Sequence, residues 1–152
     1  MIAATIYNQL VATLTNNPTL AEYVNNVFKG MRFNIEPDSM PCIMAEVRGN
    51  NEVQRDFNQV KNIWLDVDIM GVVASPADPE FAIVGDKRTF SIGVLDIEND
   101  IRGALQSSNT LGGNAIDLQI EPTIFQDFDL KNILTRMVTI PIRILYRQID
   151  GV

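Results

Sequence analysis

Residues 59–73 read QVKNIWLDVDIMGVV, and no other stretch constrains the fold so tightly. Ile63, Leu65, Val67 and Ile69 fall on one side of an extended chain, with Trp64, Asp66, Asp68 and Met70 on the other. A period of two is the mark of a β-strand with unlike faces, and helical spacing would scatter these side chains around the axis. The chain therefore contains a long strand over about 59–73 with one strongly apolar face.

A second strand of the same kind spans Leu134 to Gln148, where Val138, Ile140, Ile142, Ile144 and Tyr146 alternate with Thr139, Pro141, Arg143, Leu145 and Arg147. Pro141 lacks the N–H that a central ladder uses, so an edge or a bulge is expected there. Two shorter strands complete the set: Cys42 to Arg48, and one marked by Ile116, Leu118 and Ile120. The polar run Gly49-Asn50-Asn51-Glu52 reads as a long hairpin connection. Residues 74–86, where Pro76 and Pro79 block regular structure, read as a second connection, leading into a helix.

The helical segments lie between and before these strands. Ile2, Ala3, Ile6, Tyr7, Leu10, Val11 and Leu14 share one side of an amphipathic helix that Asn16-Asn17-Pro18 ends, because proline disfavours helical geometry in the residue before it. Leu20, Val24, Val27 and Phe28 predict a short second helix over 19–28, capped by Gly30. A longer helix over 87–106 carries a stripe of Phe90, Val94, Ile97, Ile101, Ala104 and Leu105. The order helix, short helix, strand, strand, helix, strand, strand predicts a single α+β domain over 1–152: a mostly antiparallel four-stranded sheet, helices on one face, hairpin arms.

Composition narrows the chemistry. The 152 residues contain no histidine, which removes the usual general base and the commonest metal ligand. Cys42 is the sole cysteine, so no intrachain disulfide or cysteine zinc site can form. A net charge of −7 disfavours non-specific phosphate binding. The uncharged stretch up to Ala21 has no basic start and is interrupted by Asn8, Gln9, Thr13, Asn16 and Asn17, so it does not read as a signal peptide, and no window approaches a membrane span.

Carboxylates are the remaining catalytic tool. Asp96, Glu98 and Asp100 have the opening spacing of a calcium loop, but Ile101 and Ser107 stand where that loop needs glycine and glutamate. Asp66 and Asp68 share a strand face without an evident third ligand, and Asp127 and Asp129 flank Phe128 in an expected loop. No phosphate-binding glycine motif and no nucleophile elbow is present. The expectation is a protein without catalytic residues, cofactor or metal. Surplus apolar residues lie off the predicted core faces instead. Trp64, Met70, Ile92, Leu95 and Leu145, with the charged Arg48 and Arg55, are the candidate subunit or partner interface.

The opening MIAATIYNQLVATLTNNPTLAEYVNNVFKG (1–30), the proline before a strand in Pro41-Cys42-Ile43-Met44-Ala45, the strand IWLDVDIMG (63–71), the helix VLDIENDIRGAL (94–105) and the final RILYRQ (143–148) together resemble phage tail terminator proteins, also called tail-completion proteins. The resemblance covers nearly the whole chain in length and element order, and rests on rhythm, without an invariant motif that would carry functional residues across. It implies a subunit of a ring, usually hexameric, that caps the tail tube of a long-tailed phage, stops its polymerisation and presents the head-attachment surface. The partners implied are further copies of the chain, the tail tube protein, a head-completion or neck protein and, in a contractile tail, the sheath protein. DNA would pass through the bore without specific binding. The implied location is the head-proximal end of the tail in the virion, and the host cytoplasm during assembly, with no membrane. Two alternatives stand beside it: a head-completion or head–tail joining neck protein, and a small-molecule-binding α/β domain using Asp66 and Asp68.

Overall fold

The computed structural model describes residues 2–32, 34–55, 60–74, 84, 92–130 and 133–149, and among these leaves the side chains at 37, 52–55, 128–130, 133–134 and 149 undescribed. The elements are α1 (Ile2–Asn16), α2 (Pro18–Ala21), β1 (Asn26–Lys29), a 3₁₀ turn (Pro37–Ser39), β2 (Cys42–Arg55), β3 (Val60–Ala74), α3 (Val94–Ser107), β4 (Asp117–Ile120), β5 (Ile124–Leu130) and β6 (Ile133–Ile149). The class is α+β, as the periodicities predict. The sheet has six strands where four are expected, because Asn26–Lys29 and Ile124–Leu130 also pair; the order is β1-β2-β3-β6-β4 with β5 also on β6, and the sheet is mixed because β1 runs parallel to β2.

Four expectations give way here. The second helix ends at Ala21, and Asn26–Lys29 joins the sheet instead. Val27 packs with the inner core and Phe28 with a cluster on the reverse face, so the pair obeys a period of two even though the spacing of Leu20, Val24 and Val27 also suits a helix. Strand β2 does not stop at Arg48. Its ladder with β3 continues through Asn50↔Leu65 and Asn51↔Trp64 to Arg55↔Lys61, with register shifts at Val47/Gly49 and Glu52/Gln54. Asp127 and Asp129 belong to β5, paired with β6, and not to a loop. The long helix begins at Val94; residues 87–91 of its predicted start, and most of the 74–86 connection, lie outside the described residues.

Pro141 sits in the middle of the sheet, opposite Asp68 of β3. Its carbonyl accepts from Glu121 N at 2.9 Å, which aims its backbone polar groups away from β3. On that side β4 ends at Ile120↔Ile142 and β5 begins at Ile124↔Thr139. The missing N–H therefore falls between the last β4 pair and the first β5 pair, and interrupts no hydrogen bond of the β3–β6 ladder.

The inner face of the sheet carries the main core. Ile43, Val67, Ile69, Val138, Ile140 and Ile142 meet Ile6, Leu10 and Leu14 of α1 and Ile97, Ile101 and Leu105 of α3, all fully or nearly fully buried. Asn17 forms the joint between α1 and α2: its Oδ1 accepts from Thr19 N and Leu20 N, and Pro18 takes the first helical position, where no N–H is required. Tyr23 ties this corner to α3 by donating its hydroxyl to Asp100 Oδ2 at 2.6 Å, and burial followed by the facing carboxylate raises its pKa. Gly71 lets α3 come close; a Cβ there would lie 3.1 Å from both Cδ1 and Cγ2 of Ile97.

The outer face is divided. At one end Cys42, Met44, Met70, Val72 and Met137 are buried beneath Ile35 and Met40 of the segment that links β1 to β2. At the other end the same face is polar and half exposed.

Candidate functional site

The polar end of the outer face is built by register. Period two turns Trp64, Asp66 and Asp68 outward from β3. The β6 ladder sets Leu145 opposite Trp64 and Arg143 opposite Asp66, and β2 sets Glu46 opposite Asp68 and Asn51 opposite Trp64. The register shift after Val47 places Arg48 where its Nε reaches Asp68 Oδ1 at 2.7 Å.

Arg143 is the hub. Its Nε donates to Asp66 Oδ1 at 2.9 Å while the guanidinium lies 4.8 Å over the Trp64 ring, an electrostatic attraction to the ring face. Asn51 Nδ2 donates to the other oxygen of Asp66 at 3.1 Å, so both oxygens of that carboxylate are engaged. Glu121 stands 3.9 Å from Arg143 Nε. Burial raises the Asp68 carboxyl above its ordinary value; Arg48 opposes that rise, and Glu121 and Asp66 add to it.

Asp68 thus takes up a proton more readily folded than unfolded. Its contribution to stability is fully present below the unfolded value of 3.8 and is lost as pH rises through the raised folded value. We expect Asp68→Asn to change stability by less than about 1 kcal/mol at pH 7, since the ion pair is partly exposed. The variant should compare less favourably with the parent as pH falls towards 4. Urea midpoints at both pH values test this, and a larger deficit at pH 7 would mean that Arg48 outweighs burial.

Of the seven candidate interface residues, the structure brings Trp64, Leu145 and Arg48 together on this face, the first two half-buried and Arg48 exposed. Leu95 is 43% exposed but lies on α3, in the helical layer. Met70 is not a surface residue: at 4% exposure it is packed under Met40 and Ile35. Ile92 is half-buried against the inner core. The Arg55 side chain lies outside the described residues, although its backbone pairs with Lys61. Arg143 and Asn51 were not singled out, and only the strand register, which no short motif encodes, brings them to Asp66. The exposed Ile124 and Phe125 of β5, and Met31 and Ile116, are not singled out by the sequence as surface anchors either.

Four of the other carboxylates have structural partners, and the Asp129 side chain lies outside the described residues. Asp96 Oδ2 accepts from Gly93 N at the start of α3, Glu98 pairs with Arg102 one turn on, and Asp100 accepts from Tyr23. Asp127 takes a two-point contact from Arg136, at 2.6 and 2.8 Å. Among the described residues no group of three histidines, cysteines or acids is placed to hold a metal, and no helix is long and apolar enough to cross a membrane. A crevice of about 330 Å³ at the C-terminal ends of α1 and α3 is lined by Gln9, Thr13, Asn16, Ser107 and other uncharged residues.

No protein-family model and no curated protein matches the chain.

The Trp64–Arg143–Asp66 group can offer an aromatic face, a fixed guanidinium and complementary charge. Tryptophan and arginine are the residue types that most often anchor protein contacts, because they bring large area with a polar handle.

Proposed function

We propose that the chain is a structural subunit of a ring that caps the tail tube of a long-tailed phage, stops tube polymerisation and offers the surface to which the filled head attaches. In this reading it acts without cofactor or catalysis at the head-proximal end of the tail, after assembly in the host cytoplasm. It contacts further copies of itself, the tube protein, a head-completion or neck protein and, in contractile tails, the sheath. The resemblance of residues 1–30, 63–71, 94–105 and 143–148 to tail terminators motivates it.

The observation that carries it is the division of the outer sheet face. Its apolar end is closed by the chain's own 31–40 segment, while its Trp64, Leu145 and Arg48 end stays half exposed. A surface of that composition suits a protein partner better than a small ligand, since Asp66 and Asp68 are already occupied by Arg143 and Arg48. The net charge of −7 favours passage of DNA without retention.

Electron microscopy of the purified protein mixed with tail tubes tests the reading. Rings at tube ends and arrested tube growth are the expected result, with Trp64→Ala weakening end binding at least about tenfold, as for loss of an anchor residue. Binding to portal-side rings in place of tube ends would favour a head–tail joining role, and binding to neither would sink the proposal.

A further inference from the structure

Among the described residues the sheet has two margins without a further strand, and they are unlike. On one side β1 pairs only with β2. Gly30 N donates to Ala45 O at 2.8 Å, so by strand alternation Asn26 and Phe28 also face β2, and the backbone groups of Val27 and Lys29 point outward. On the other side β5 pairs only with β6. Because Pro141 O faces this side, so do Thr139 and Met137, which sit opposite Ile124 and Gln126; the backbone groups of Phe125 and Asp127 are left pointing outward.

Natural sheets blunt such edges with proline, charged side chains or short strands, and β1, four residues carrying Lys29, is an edge of that kind that would admit only a strand of opposite charge. Strand β5 has seven residues, contains neither proline nor lysine, and leaves Ile124 and Phe125 53% and 43% exposed. Charge separates the two margins. Residues 103–130 hold Asp117, Glu121, Asp127 and Asp129 with no lysine or arginine, whereas residues 23–35 hold Lys29 and Arg32 with no acid. The chain's other acid-free basic run, residues 131–149, lies mainly in β6, where Arg136 is paired with Asp127; the 23–35 run borders the margin opposite the acidic one. Met31, 42% exposed beside β1, supplies apolar area to match Phe125.

We propose that β5 of one copy pairs with β1 of the next, so that the sheet continues from subunit to subunit. Strand addition supplies main-chain hydrogen bonds, and the opposite charges select this pairing over β5 with β5, which would set acids against acids. Two different edges meet, so the contact is heterologous, and repetition closes a ring where the rotation allows. The inference rests on the ring reading above and names the surface through which the ring forms.

The test uses the full chain carrying Asn26→Cys and Gln126→Cys with a short bis-maleimide cross-linker; Cys42 is fully buried, with its thiol pushed up to about 11 by burial, and stays silent. The double variant should give a ladder of covalent oligomers, and each single variant none. Lys29→Glu should lower the association seen by light scattering at least about tenfold, and Asp129→Lys in the same chain should restore it. Absence of the ladder, a dimer from either single variant, or indifference to charge reversal overturns the edge pairing. Rings that form on tubes without the cross-link leave the tail-end reading standing and remove this interface. A ladder from protein that never caps tubes does the reverse.

Discussion

Gly71→Ala lowers the unfolding free energy by about 1–3 kcal/mol, and Gly71→Val by more, because each adds volume to a contact that has no slack. The Cβ of alanine would stand 3.1 to 3.2 Å from Cδ1, Cγ2 and Cγ1 of Ile97, tighter than ordinary van der Waals contact. Ile97 is fully buried in the first turn of α3, flanked on the same stripe by Val94 and Ile101, so it cannot swing aside without moving the helix. Glycine in a strand ordinarily weakens it, and an alanine that fitted would be neutral or better. The sign of the effect therefore reports the helix–sheet approach and not strand propensity. The coupled variant Gly71→Ala/Ile97→Val removes one of the pressing methyl groups, and its loss should fall short of the sum of the single losses by about 0.5 kcal/mol or more. Urea titrations with unchanged slope measure all three. If Gly71→Ala leaves the midpoint unchanged, α3 does not lie on the sheet as described.

The parts of the fold legible in the sequence are those where one side of a strand is buried along its whole length. Ile63 to Ile69 and Val138 to Tyr146 announce themselves because α1 and α3 cover that face continuously. The parts that were not legible share a physical cause: their faces change character along the strand, or their side chains are not buried at all. Asn50 and Asn51 are in a ladder, yet nothing covers them enough to demand apolar residues, so they read as a connection. Strand β5 is an edge with Ile124, Phe125, Gln126 and Asp127 all exposed, and exposure erases the alternation that marks a strand. Residues 24–28 fit both periods, and pairing with β2 decides between them. The candidate site is half legible for the same reason. Trp64 and Asp66 were placed on one face by alternation alone, but Arg143 joins them only because β6 pairs in the register that sets it opposite Asp66.

Met70 exposes the limit of alternation most sharply, and it carries the second large expected effect. Alternation alone sets it beside Trp64, Asp66 and Asp68 and so on a surface; that reading predicts weakened assembly and an unchanged monomer for Met70→Ala. In the structure the outer face turns apolar between Asp68 and Met70, because the 31–40 segment crosses there and lays Ile35 and Met40 on Met44, Met70 and Met137. Truncating a side chain that is 4% exposed leaves a cavity among partners held by the sheet, and the expected loss is about 2–5 kcal/mol. Met70→Asp should lose more, since the carboxylate would be buried without a cation in that cluster. Leu95→Ala, at 43% exposure on α3, is the matched control and should stay within about 1 kcal/mol of the parent. A second readout follows the cover itself. Cys42 belongs to the same cluster and is fully buried, so its labelling by a thiol reagent in native buffer should be very slow in the parent chain and much faster in Met70→Ala, where the 31–40 segment has lost part of its seat. A Met70→Ala protein as stable as the parent, with Cys42 still protected, would return Met70 to the surface and remove the apolar half of the outer face from the core.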